Sequence, residues 1–233
     1  MRYETLAQVF RKTGIFTLAD VFAKLKVRDL PARKNLPRTL NRWVKAGKLQ
    51  NLRRGVYLLP KEQRARVTAE RIANKLYGPG YVTGIWALSK YGLIPEGAVE
   101  VTNATTKNPA YFETPTGRFR YRNIAPHLVF GVEKQKTPEG NVARVADREK
   151  TLLDFLWWHI NDSHRPGFTW EKNEFERWRL QDPTGDVNEH KLFAYAGRFR
   201  DRRMQDAAQK LADHLRTTHV DFVILPRPTA AVA

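Results

Sequence analysis

Apolar and polar positions follow one period at the start of this chain, another in its middle, and return to the first near its end. From Tyr3 to Thr13, Leu6, Val9 and Phe10 share a helical face, and Gly14 ends the run. Thr17 opens a second helix with full start chemistry. Thr17 and Asp20 match a capping box with Asp in place of the usual Glu, and Phe16 with Val21 makes a hydrophobic staple. Leu18, Val21, Phe22 and Leu25 then recur at i, i+3, i+4 and i+7.

A third helix is predicted after Lys34, with Asn35 as N-cap, Pro37 in the first turn and Gly47 as the C′ residue. Leu36, Leu40, Trp43 and Val44 form its apolar stripe, and Arg38, Asn41, Arg42 and Lys45 lie opposite. Two extended pieces follow, Leu49–Leu52 and Val56–Leu59. Arg53-Arg54-Gly55 joins them and places two cations at the tip of a hairpin. Helix, helix, basic helix and basic-tipped hairpin, in that order, spell a winged helix-turn-helix. Its third helix enters a major groove and its wing reaches a neighbouring groove or phosphate row. The plainer alternative is a solvated helix beside an ordinary hairpin.

Pro60-Lys61-Glu62-Gln63-Arg64 is a break in composition, read as a boundary between residues 1–62 and 63–233. Helices are expected over Thr68–Tyr77 and Thr83–Tyr91, the second with Ile85 and Leu88 on one face, with Tyr77-Gly78-Pro79-Gly80-Tyr81 as a turn between them. The period then switches to two. Val99–Thr102 alternates as a strand, Tyr111–Glu113 and Phe119–Arg122 read as a hairpin, and His127–Val132 and Val142–Val145 are further strands. That makes a small mixed or antiparallel sheet of four or five strands. Asp147 starts a helix through Ile160. Beyond it, Trp170–Leu180, Glu189–Phe199 and Met204–Arg216 read as helical, Val220–Leu225 as extended and 226–233 as a frayed tail. The fold class is therefore α+β: a winged helix (1–62), an α+β core (63–160) and a mainly helical extension (161–233).

Charge sharpens this picture. The chain carries 41 Lys and Arg against 24 Asp and Glu, a net of +17. Residues 1–66 hold 17 cations and 4 anions, whereas 67–233 hold 24 and 20. Positive charge gathered on the segment with the basic helix attracts a polyanion and favours counterion release from DNA. An anionic membrane is the rival partner, but no basic amphipathic helix with exposed aromatics accompanies the charge. Arg38, Thr39, Asn41 and Arg42 are expected to face bases, and Arg53 and Arg54 to enter a minor groove or clamp phosphates. Lys34, Lys45 and Lys48 supply nonspecific attraction, with Asn35 beside them. Arg28, Arg33 and Lys34, in the stretch before the helix, approach phosphate at its N-terminus or are merely solvated.

The middle of the chain resembles a known family. YGPGYVTGIWALSKYGLIPEGAVEVTNATT, TGRFRYRNIAPHLVFGV and VARVADREKTLLDFL are similar in order and spacing to the AbiEi-type antitoxins of type IV toxin–antitoxin systems, as is the wing Arg53-Arg54-Gly55-Val56-Tyr57. The resemblance covers roughly residues 1–160. It implies a repressor that binds inverted repeats in its own promoter, a part in phage defence, and counteraction of a cognate nucleotidyltransferase-type toxin, directly or indirectly. The C-terminal part would be needed for neutralisation.

Other chemistry has less support. Arg118, Arg120 and Arg122 share one strand face opposite Phe119 and Tyr121, and form either a secondary basic surface for DNA or an acidic partner, or a solvated face. Asp147, Glu149 and Asp154 invite a nuclease reading, but carboxylates at a helix start are favoured by its dipole, and Arg148 and Lys150 compensate them. The histidines lack zinc-site spacing, there is no cysteine, and no phosphate loop or nucleophile elbow occurs. No metal, cofactor or catalytic residue is therefore expected. The N-terminus is too charged for a secretory signal and no run approaches 18 apolar residues, so a cytoplasmic location is expected. The alternative to an antitoxin is a winged-helix regulator whose second domain binds a ligand or protein, with no toxin partner.

Overall fold

The computed structural model describes residues 1–26, 30–136, 140–162 and 164–224. The chain divides into two compact units. The first comprises 1–82, 99–125 and 132–145, the second 83–98, 126–131 and 146–233.

The first unit opens with the winged helix: α1 (Tyr3–Phe10), β1 (Ile15–Thr17), α2 (Leu18–Lys24), α3 (Leu30–Lys45), β2 (Gln50–Arg53) and β3 (Val56–Leu58). Thr17 caps α2, and the capping box is complete: Asp20 N–H donates to Thr17 Oγ1 at 3.2 Å and Thr17 N–H to Asp20 Oδ2 at 2.7 Å. Leu6, Phe10, Phe16, Val21, Leu36, Leu40, Trp43, Leu49, Tyr57 and Leu59 form one buried cluster, joining all three helices to the hairpin. Gly47, at φ +69°, ends α3. Its N–H bonds Val44 C=O at 3.0 Å while Lys48 N–H bonds Trp43 C=O at 2.9 Å, the two bonds of a Schellman stop.

Three details of this segment differ from the sequence reading. Helix α3 begins at Leu30, so Asn35 is not its N-cap and Pro37 lies in its interior. Pro31 takes the place near the helix start that suits proline. Pro37 leaves one intrahelical bond unmade, and the burial of Leu36, Leu40 and Trp43 on either side of it holds the helix together. Strand β1 was not foreseen. It pairs antiparallel with β3, making a three-stranded sheet of order β1-β3-β2.

After a 3-10 turn at Lys61–Gln63 the chain stays bound to the winged helix. Ala65 N–H donates to Arg11 C=O at 2.9 Å and Arg64 Nε to Leu59 C=O at 2.8 Å. The segment read as a boundary thus lies inside the first unit. It leads to α4 (Ala69–Leu76), β4 (Gly80–Val82), β5 (Glu100–Thr105), β6 (Ala110–Thr114), β7 (Gly117–Asn123), β8 (Val132–Lys136) and β9 (Val142–Ala146). These strands make a six-stranded sheet of order β6-β7-β5-β4-β9-β8. Hairpin β6–β7 is antiparallel as expected, while β5 pairs parallel with β7. Gly80–Val82, read as part of a turn, is an interior strand of this sheet. His127–Val132 is not a strand: Pro126–Leu128 is a 3-10 turn and β8 begins at Val132. A proline at the start of that run removes a ladder donor, which explains the difference.

The second unit contains α5 (Gly84–Lys90), α6 (Arg148–Ile160), α7 (Lys172–Arg177), α8 (Glu189–Gly197) and α9 (Arg202–Ile224). On α5 Leu88 is buried but Ile85 is exposed, so the two do not share an inward face. Val220–Ile224 continues α9 and is not extended; the expected tail at 226–233 lies outside the described residues.

Helix α6 is the axis of this unit, and its first turns bury an ionic network. Asp147 is the N-cap, accepting from Lys150 N–H at 2.8 Å. Lys150 and Asp154, both fully buried, form an ion pair, and Thr83 Oγ1 donates to Asp154 at 3.0 Å. The rings of Phe130 and Phe199 flank the Lys150 ammonium at 4.6 and 5.0 Å. Burial pushes this ammonium below its ordinary pKa, against the attraction of Asp154. Lys191 bridges Glu149 at 2.9 Å and Asp147 at 3.2 Å. The carboxylates that invited a nuclease reading are thus occupied in holding helices together, Arg148 pairing instead with Asp186 at 2.7 Å.

A buried pair of this kind is costly to break and cheap to replace whole. Lys150→Met or Asp154→Leu alone should lower stability by about 3–5 kcal/mol. The double variant should recover most of that loss, as urea denaturation will measure.

Candidate nucleic-acid interface

Helix α3 contains five cations and no acid. With Leu36, Leu40 and Trp43 turned into the core, the opposite face falls at Lys34, Asn35, Arg38, Asn41, Arg42 and Lys45. All six are exposed. The twelve residues from Lys34 to Lys45 rise about 16 Å along the axis, enough to follow a major groove across several base pairs. Thr39 is turned inward by comparison: its hydroxyl donates back to Asn35 C=O at 3.2 Å. Arg33 is exposed with its guanidinium 4.6 Å from the Phe22 ring centre, and Arg28 lies outside the described residues.

The wing is fixed to the helices at both ends. Leu18 N–H, at the start of α2, donates to Gly55 C=O at 3.1 Å. Tyr3 hydroxyl donates to Lys48 C=O at 2.8 Å, and the Lys48 ammonium lies 5.1 Å from the Tyr3 ring centre. Arg54 is exposed beside Gly55, whose φ of +81° makes the turn. Arg53 is half-buried and turned away from the tip, over the rings of Tyr77 and Phe112. These two aromatics are far from the wing in the chain, and no local pattern marks them.

The candidate secondary surface on β7 alternates as expected: Arg118 and Arg120 are exposed, Arg122 is half-buried, and Phe119 and Tyr121 are buried. It is not a free basic strip. Arg120 is ion-paired with Glu100, which raises its pKa, and lies 5.2 Å from the Tyr111 ring centre. Glu113 stands directly opposite Arg118. Among the described residues no group of His, Asp or Glu is arranged to hold a metal ion. His159 Nδ1 meets Phe155 C=O at 2.8 Å and His214 Nε2 meets Leu180 C=O at 2.9 Å, which are structural contacts.

The first unit holds 26 cations and 9 anions, the second 15 of each, so the whole +17 belongs to the unit that contains the winged helix. Among the described residues no helix is long and apolar enough to cross a membrane.

Fold and face together define a winged helix-turn-helix, a class of module that reads duplex DNA. More particularly, residues 4–60 match the family model described as "Transcriptional regulator, AbiEi antitoxin". The resemblance read from the sequence holds over the segment that forms the winged helix. No match to the chain was found among curated proteins.

Asp20 ties this module to α4 through Lys75, at 2.8 Å. Burial works to raise its carboxyl pKa, but the bonds from Lys75 and Thr17 hold it below the ordinary value. Its contribution to stability is therefore present above the ordinary carboxylate range and lost as pH falls through the lowered value. Asp20→Ala should lower the melting temperature at neutral pH, and the difference from the unaltered chain should shrink as pH falls below about 4. Thermal melts of both proteins across that range will check this.

Proposed function

We propose that the protein is a non-enzymatic, cytoplasmic transcriptional autorepressor and antitoxin of a type IV toxin–antitoxin system. Residues 1–62 would grip inverted repeats in its own promoter, and residues 63–233 would counteract a nucleotidyltransferase-type toxin, directly or indirectly. One observation carries the DNA half of this reading. The acid-free outer face of α3, inside the segment matched to the antitoxin-regulator family, lies in a unit that holds the entire net charge. Arg38, Asn41 and Arg42 are the base readers, through Arg–guanine and Asn–adenine pairings. Lys34, Lys45 and Arg54 hold phosphates.

A second reading is favoured by the extent of the family match, which ends at residue 60. In it the rest of the chain senses a ligand or a protein other than a toxin. Co-expression with the product of the adjacent gene separates the two. An antitoxin restores growth when that gene encodes a toxic nucleotidyltransferase, and a plain regulator does not.

The division between readers and phosphate holders is testable in the same protein. Arg42→Ala should cost about 1–3 kcal/mol on the promoter and relax sequence preference, whereas Lys45→Ala should weaken promoter and random DNA alike. Equal losses on both DNAs for both variants, measured by anisotropy titration, would remove the base-reading role of Arg42.

A further inference from the structure

The wing carries adjacent arginines with different surroundings. Arg54 is exposed, while the Arg53 guanidinium carbon lies 5.5 Å from the ring centre of Tyr77 and 5.2 Å from that of Phe112. Tyr77 is the C-cap of α4, and Phe112 sits on β6, the outermost strand of the six-stranded sheet. The two rings meet each other at 5.5 Å, and both pack edge-on against Tyr121. Tyr121 is buried and its hydroxyl donates to Ala73 C=O at 2.7 Å. The platform under Arg53 is therefore anchored in the core of the sheet.

The wing is shaped to reach that platform. Its pairing slips by one residue between Asn51 and Arg53, a β-bulge, and bulges re-aim the side chain beside them. Arg53 is half-buried there, whereas Arg54 at the tip is exposed. Without the Arg53 contact the hairpin would keep its packing on the helices and its pairing with β1 but lose its stacked contact with the sheet edge.

We propose that Arg53 is a positioning residue: stacked on Tyr77 and Phe112, it holds the wing against the sheet edge so that Arg54 meets the DNA backbone. Tyr77 and Phe112 then belong to the DNA-binding apparatus although they lie outside the winged helix. This inference rests on the DNA-binding half of the proposed function.

The test uses the full chain and a duplex carrying its own promoter, with salt titration and footprinting. Arg53→Ala and Phe112→Ala should each weaken binding about three- to tenfold. Each should leave the slope of log affinity against log salt unchanged. Each should keep the central protection due to α3 and lose the flanking protection due to the wing. The double variant should be no worse than either single one. Arg54→Ala, by contrast, should make the slope shallower by about 0.9, the signature of one lost phosphate contact. If Phe112→Ala also loses the central protection, Tyr77→Leu replaces it as the uncharged arm, with the same expectation.

The inference is overturned if Arg53→Ala makes the salt slope shallower while the uncharged variant binds like the unaltered chain, or if the two losses add. An unaltered chain that binds neither promoter nor random duplex overturns the DNA-binding reading itself, and this inference with it.

Discussion

The candidate interface depends on the clamp beneath α3. Leu36, Leu40 and Trp43 are buried among Leu6, Phe10, Phe16, Val21 and Tyr57, and each such side chain contributes about 1.5–3 kcal/mol by leaving water. Turning the helix by one residue, about 100°, would drive Asn41 in one direction or Arg42 in the other toward that core at the cost of burying unpaired polar groups. The rotation of α3 is therefore fixed from below. Six outward positions follow from it, and the chain has placed there four cations and two asparagines. The chemistry of the face is a choice of sequence, but its location is a consequence of packing.

A concentrated positive field destabilises the body that carries it, and the first unit handles this in an unusual way. Among the described residues several cations of the winged helix lie over aromatic rings. Lys24 lies over Phe10, Arg33 over Phe22, Lys48 over Tyr3 and Arg53 over Tyr77 and Phe112. A ring face stabilises a cation without cancelling its charge, so the field toward a polyanion is kept. The second unit does the opposite, pairing Lys150 with Asp154, Lys191 with Glu149 and Asp147, and Arg216 with Glu189. Its charges serve cohesion, and Asp147, Glu149 and Lys150 act inside the core of that unit.

What could be read in the sequence was what is local. The stripes of α1, α2 and α3, the Thr17–Asp20 box, the Gly47 stop, the β6–β7 alternation and the Asp147 cap depend on neighbours within a few positions. Strands β1 and β4 escaped because three residues are too few to show a period, and Gly78-Pro79-Gly80 looks like punctuation whether or not a strand follows. Asn35 and Pro37 imitate a helix start so well that the earlier one at Leu30 was hidden behind them. Of the candidate interface, the outward placing of the polar face of α3 was legible from periodicity alone. The withdrawal of Arg53 was not, because it is decided by two rings far along the chain that periodicity cannot identify.

That withdrawal bears on where a DNA-binding module ends. By pattern it closes at residue 62, after the wing. By contact it continues, since the wing lies along β6, Arg53 rests on two aromatics of the sheet body, and Asp20 is tied to α4. On the proposed reading these ties make the wing's position a property of the whole first unit. A partner bound there changes DNA affinity only to the extent that it binds one wing position better than another. Reciprocity then requires DNA to change that partner's affinity by the same factor, so on that reading the junction of Arg53, Tyr77 and Phe112 is one place in this unit where promoter occupancy and partner binding can be thermodynamically linked.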